Sequence, residues 1–368
     1  MKTVKKWLKF SQQKHYLKRG YLSVLEVKTR LKLVQEVAKR PTEASVEFQE
    51  FMMLLIDLQH QNYTSLENFL LLTFSDGWFF VSILFFVIYC TILIGNLCIF
   101  TIIRLESHLH TPMYFFLSNL SLLDIFYSSS TLPLVLFNCL TGNRKISFRK
   151  CILQLYLFVS LGGAECILLA IMAYDRFVAI CNPFHYPVVM SNRLCASLAA
   201  ASWLSGFLNS ILHTVMTANL SFCKSQQIIN HFYCDVPPII QASCNPTKTS
   251  KILLYIVSVF LGFTPFLYIV ISYIHIISTI MKIKSSEGRW KAFSTCSSHL
   301  IVVTMFYGTA NFNYIGPSGY SFEMEHLASF LYSLLTPLVN PIIYCFRNKD
   351  VKGALQKHLR RCHFKIYR

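Results

Sequence analysis

The chain has 368 residues, is 54% hydrophobic and only 14% charged, and carries a formal net charge of +17. Soluble domains hold about 25% charged residues, so this composition argues against a soluble domain and for a chain embedded in lipid. The charges fall in short clusters and leave long uncharged runs between them.

Residues 1–52 come first and stand apart. They hold 12 Lys and Arg against 5 Asp and Glu, and they lack an apolar signal core. A basic segment ahead of a membrane span resists translocation. One reading is an arm for nucleic acid or anionic lipid. The reading preferred here is a disordered extension or a gene-prediction artefact, with the working start at Met52 or Met53. No nucleic-acid partner is then expected. Residues 53–77 form an extracellular N-terminus, in which Asn62-Tyr63-Thr64 fits the glycosylation pattern. The first span serves as its own signal.

Seven candidate spans follow. Residues 77–103, 194–223, 252–281, 292–322 and 326–346 contain no Asp, Glu, Lys or Arg. Residues 111–143 contain only Asp124, and 151–174 only Glu165. Each run exceeds the roughly 20 residues that cross a bilayer as a helix. Continuous rather than alternating apolarity argues against a barrel. The fold class is therefore an all-α membrane protein, a seven-transmembrane helix bundle over residues 78–346. Residues 347–368 form a cytoplasmic helix and tail.

Orientation follows from the loop cations. From Met53 onward, with the N-terminus outside, the cytoplasmic segments hold 15 Lys and Arg and the opposite segments 7. The C-terminus is thus expected in the cytoplasm of a multi-pass plasma-membrane protein. Prolines inside or at the ends of spans (Pro112, Pro133, Pro265, Pro337 and Pro341) can kink helices and shape a cavity, or are simply tolerated in membrane helices.

Two acids lie inside spans. Asp124 and Glu165 are each costly if left ionised and unpaired in lipid, so they should face the bundle interior. They can share a proton, hold a small cation such as Na⁺, or serve as protonated structural groups. Another charged pair, Asp175 and Arg176 of "MAYDRFVAIC", closes the third span. A transporter would show inverted repeats, and none is evident. No H-E-x-x-H or G-x-S-x-G occurs, so an enzyme is not expected.

Of 13 cysteines, four are placed outside: Cys151 at the start of the third span, and Cys223, Cys234 and Cys244 in the long loop after the fourth. The oxidising exterior permits bridges, and one from loop to span would fix a lid over the bundle mouth. The loop spacing is not a common zinc spacing. Connectivity cannot be read from spacing alone.

The residues also carry a resemblance. "TPMYFFLSNLSLLDIFYSS" at 111–129, "MAYDRFVAICNPFHYP" at 172–187, "SYIHII" at 272–277, "KAFSTCSSHL" at 291–300 and "PLVNPIIYCFRNKDVKGAL" at 337–355 recur in order. Together they resemble vertebrate olfactory receptors of the rhodopsin-like G-protein-coupled family. The loop "HFYCDVPPIIQASC" at 231–244 is similar to the tetrapod-type class II group. The match covers about Asn62 to Leu359.

The resemblance implies a receptor for small, mostly uncharged volatile odorants, coupled to a stimulatory heterotrimeric G protein and raising cyclic AMP. It implies a short amphipathic helix after the seventh span. Asp175 would hold Arg176 at rest, and Tyr273, Lys291 and Tyr344 would rearrange with it on activation. Phe177 replaces the usual tyrosine after the arginine, which removes a hydroxyl and leaves the charge pair. The implied bridges are Cys151–Cys234 and Cys223–Cys244. Asn96, Asp124 and Glu165 match a sodium-type pocket, and no other cofactor is implied. The ligand would lie among Phe158, Val159, Gly162, Gly163, Val257, Leu261, Tyr307, Asn311, Tyr314, Phe330 and Ser333. That set carries no charge. Gly162 and Gly163 are expected to leave room for the ligand.

Overall fold

In a computed structural model, residues 68–71, 78–222, 228–229, 231–244, 248–315 and 322–366 are described. All of them belong to one unit, Gln59–Arg368. The basic extension and Asn62 lie outside the described residues, as do Cys223 and the side chains of Val257, Leu261, Lys291, Tyr314 and Phe330.

Among the described residues, seven long helices stand where the uncharged runs lie: α1 Trp78–Leu105, α2 Pro112–Thr141, α3 Phe148–Cys181, α4 Asn192–Ala218, α5 Lys248–Met281, α6 Ser286–Ile315 and α7 Phe322–Arg347. An eighth, α8 Lys349–Ile366, carries the basic tail. Five of these helices are long and apolar enough to cross a membrane, and α7 contributes a shorter apolar stretch, Leu331–Tyr344. α6 begins before its uncharged run, because Glu287, Arg289 and Lys291 extend it past the membrane-length segment.

The ends of the helices follow local chemistry. Ser147 and Ser191 cap α3 and α4, each hydroxyl accepting a backbone N–H from the third residue of its helix at 3.4 Å. Pro112 opens α2, where a missing N–H costs nothing. Gly142 ends α2 with φ +65°, the left-handed conformation that glycine adopts without strain.

α3 is the hub. It packs against α2, α4, α5 and α6, while α7 closes the ring against α1, α2 and α6. Its buried residues run from Phe148 to Val178. The outer face of α1 instead exposes Phe79, Phe80, Ile83, Leu84, Phe86 and Val87. A row of large exposed apolar side chains is the surface a helix presents to lipid.

Two close approaches draw the helices together. A Cβ on Gly95 of α1 would lie 2.9 Å from Pro341 Cβ of α7. Pro341 also lacks the N–H that would bond the Pro337 carbonyl one turn earlier. Asn96 supplies the missing donor, its Nδ2 lying 3.1 Å from Pro337 O. On the other side, a Cβ on Gly206 of α4 would strike Ser160 O and Ala164 N of α3.

One element was not expected. Asn68–Leu71 (β1) pairs antiparallel with Lys145–Ser147 (β2) and parallel with Ile228–Ile229 (β3). The sheet joins the N-terminal segment, the α2–α3 loop and the α4–α5 loop at one end of the bundle.

Candidate functional site

The sheet end holds the loop that follows α4. Cys234 is bonded to Cys151 at the start of α3, across 83 residues of sequence. Such a bridge is typically worth about 2–4 kcal/mol. Cys244 is disulfide-bonded as well. The Cys234 N–H donates to Gln154 Oε1 at 3.0 Å, and Gln154 Nε2 donates to Ser130 O of α2 at 2.9 Å. Asp235 is buried; it accepts from the Val236 N–H at 2.7 Å and from Asn313 Nδ2 of α6 at 3.5 Å.

Beneath the loop the bundle is aromatic. Phe158 of α3 stacks on Tyr127 of α2 at 4.8 Å and meets Tyr233 of the loop at 4.9 Å and Tyr332 of α7 edge-on at 5.9 Å. Phe306 of α6 lies 6.3 Å from Tyr332 and 5.2 Å from Tyr307. Tyr307 in turn meets Phe266 of α5 at 5.0 Å, and its hydroxyl donates to Cys166 O of α3 at 3.3 Å. Burial pushes the Tyr233 phenol well above its ordinary range, with Asp235 adding to the effect, so it stays neutral.

The expected ligand residues divide on this geometry. Phe158, Tyr307 and Ser333 are buried in the bundle, and Val159 is half-buried. A Cβ on Gly162 would face the Tyr332 hydroxyl at 3.3 Å and Tyr127 Cε2 at 3.6 Å, so this glycine faces the aromatic cluster at close range. Gly163 does not: its nearest neighbour is Gly206 Cα at 3.4 Å, and it serves close packing of α3 on α4. Two residues apart on a helix point different ways, and adjacent glycines likewise face different neighbours. Asn311 is exposed on α6; the amide that reaches the loop is Asn313, a little over half a turn on. Tyr127, Tyr233, Phe306 and Tyr332 were not singled out from sequence, where nothing separates them from ordinary packing aromatics.

At mid-bundle, Asp124 and Glu165 are both buried and interact electrostatically. Asn340 of α7 donates through one Nδ2 to both Asp124 oxygens, at 3.2 and 2.9 Å. Glu165 Oε1, Asn96 Oδ1 and Asn340 Oδ1 are buried without a hydrogen-bond partner. Asn340 was missed in the sequence; its one signal was an amide beside Pro341 in an uncharged run.

The opposite end holds Arg176 and Asp175. Both are buried; no close ion pair joins them, yet the Arg176 charge acts on Asp175. Asp175 Oδ1 instead accepts the hydroxyl of Tyr186 at 2.8 Å, from the one-turn helix Tyr186–Val189 after α3. The Arg176 charge acts on Tyr273 of α5, Cys296 and His299 of α6 and Tyr344 of α7. The short helix just past Cys181 thus brings a neutral hydroxyl onto the carboxylate beside the arginine.

His299, also unforeseen, is fully buried, with Nε2 3.2 Å from Leu169 O and Nδ1 2.8 Å from the Tyr273 hydroxyl. A carbonyl only accepts, so Nε2 carries the proton and Nδ1 accepts from the tyrosine. The ring thereby ties α3, α5 and α6 together behind Arg176. Next to this network the loop exposes Phe184, at 94%, and Val188, at 79%.

The comparisons with known proteins agree with this layout. The olfactory receptor family profile matches residues 85–361. Olfactory receptor 5AP2 of Mus musculus is 47% identical over 306 residues, covering 82% of this chain and 96% of its own. Olfactory receptor-like protein OLF3 of Canis lupus familiaris is 47% identical over 302 residues, covering 81% and 95%. Olfactory receptor 1C1 of Homo sapiens is 44% identical over 309 residues, covering 83% and 98%. With a disulfide-tethered loop over a helical membrane bundle and these relatives along its length, the chain belongs to the olfactory receptor family of G-protein-coupled receptors, and it is not an enzyme.

Proposed function

We propose that the chain binds small, mostly uncharged volatile odorants among the aromatic side chains beneath the loop, and that it activates a stimulatory heterotrimeric G protein to raise cyclic AMP. The observation that carries this reading is α3 itself. One helix bears Phe158 and Gly162 in the aromatic cluster and, about four to five turns further, the buried Arg176. A ligand that shifts α3 against α6 or α7 therefore acts on both ends, as a two-state bundle requires. Uncharged ligands suit the cluster because its buried acid, Asp235, is already engaged by Val236 and Asn313. The cation bias of the loops supports an N-terminus outside and a C-terminus in the cytoplasm. Exposed Phe184 and Val188 then offer the G protein an apolar contact beside Arg176.

The mid-bundle acids fit a sodium ion. A hard cation takes oxygen ligands, and Asp124, Glu165 Oε1, Asn96 Oδ1 and Asn340 Oδ1 are buried oxygens of the right kind. Such an ion would offset the cost of two buried carboxylates, roughly 2.5–3.5 kcal/mol for a central Asp in lipid.

One assay tests both statements. Cells expressing the chain, from Met1 and from Met53, are screened with uncharged volatiles for cyclic AMP, with sodium present or replaced by choline. A response is expected, and its sodium dependence should vanish in Asp124→Asn with Glu165→Gln. A surface-delivered chain that answers no volatile contradicts the receptor reading. A response indifferent to sodium contradicts the ion site alone.

A further inference from the structure

Tyr233 belongs to the loop between α4 and α5, yet it is only 3% exposed. Its ring lies against Phe158 of α3, and its hydroxyl shares a hydrogen bond with Ser333 of α7. Phe158 and Ser333 are both residues that the family resemblance assigns to the ligand. In this structure a side chain of the protein already touches them.

The backbone around Tyr233 is held on both sides. His231 packs edge-on against the ring at 4.3 Å, and its Nδ1 lies 3.4 Å from the Tyr233 N–H. Cys234 is bonded to Cys151 and donates to Gln154. Asp235 ties the next residue to α6 through Asn313. The loop is thus fixed to α3 and α6, and the tyrosine is pressed into the space they enclose with α7. A side chain held this way is a fixed stopper rather than a swinging flap.

We propose that Tyr233 is the ceiling of the ligand site and sets the length of the largest ligand it admits. This rests on reading the aromatic cluster as the ligand site. With its backbone pinned, shortening the side chain leaves open space instead of collapse. That space lies directly above Phe158, so a longer ligand can extend into it.

Two measurements decide. The first is the cyclic AMP response to straight-chain alcohols of increasing length. Tyr233→Ala should shift the preferred length upward, while Tyr233→Phe keeps the wild-type preference. The second needs no agonist. The thiol introduced by Ser333→Cys is titrated from outside with a small methanethiosulfonate, against the parent chain as baseline for the native cysteines. Adding Tyr233→Ala should speed labelling about tenfold, because it removes the ring packed between Phe158 and His231 that covers this position. If Tyr233→Ala is not delivered to the surface, Tyr233→Leu takes its place. If no alcohol activates the wild type, the labelling result alone decides, and the failed response counts against the receptor reading only. Unchanged labelling in a surface-delivered variant overturns the proposal, as does an unchanged length preference in a responding receptor.

Discussion

Glu106 sits in the turn between α1 and α2, and three side chains converge on it. Lys357 Nζ of α8 lies 2.9 Å from each carboxylate oxygen, His358 Nε2 lies 3.0 Å from Oε1, and His108 Nδ1 lies 3.3 Å from Oε2. The lysine hydrogen bond holds the Glu106 carboxyl below its usual range despite burial, helped by the neighbouring positive charges. A carboxyl with a depressed folded pKa contributes stability above its unfolded value, about 4.3, and loses it as pH falls through the folded value. Thermal unfolding of detergent-purified protein should therefore show a loss of stability below about pH 4 that Glu106→Gln lacks. An identical acid profile in the variant would remove Glu106 from the account. The Lys357 contact was not legible in the sequence, because it joins residues 251 positions apart. Asp175 and Asp124 were legible for the opposite reason: a charge in or beside an apolar run announces itself, whereas the neutral residues that bond them, Tyr186 and Asn340, do not.

Among the elements, the seven helices were legible because lipid leaves a spanning backbone no partner but itself. The sheet was not: strands of two to four residues carry no periodicity to read. Helix contacts were equally hidden. Gly163 and Gly206 bring α3 and α4 together, and only Gly163 stood out in the sequence, as a ligand residue and not as a packing one. The two differ in what a methyl would meet. On Gly206 it strikes the backbone of α3, which cannot step aside; on Gly163 the nearest atom lies at 3.4 Å, an ordinary contact. Gly206→Ala should cost about 1–3 kcal/mol through overpacking, visible as a lower unfolding midpoint and reduced surface delivery. Gly163→Ala should cost less. Equal effects, or none at Gly206, would show that the helices separate freely.

At the scale of the whole molecule, a tethered mouth and a charged base share one central helix. The mouth is fixed by Cys151–Cys234 and the Gln154 bridge. The base is held by α8, where Tyr114 of α2 donates its hydroxyl to Asn348 at 3.1 Å and to Asp350 at 3.0 Å, and Lys357 closes on Glu106. Between them lie Asp124, Glu165 and Asn340, buried groups linked across α2, α3 and α7. Below them the charge of Arg176 acts on tyrosines of α5 and α7. The most direct test of this arrangement is the agonist-evoked cyclic AMP response of Arg176→Ala, compared with wild type at matched surface density. The account predicts that the response is abolished while surface delivery persists. A normal response from the surface-expressed variant would contradict it.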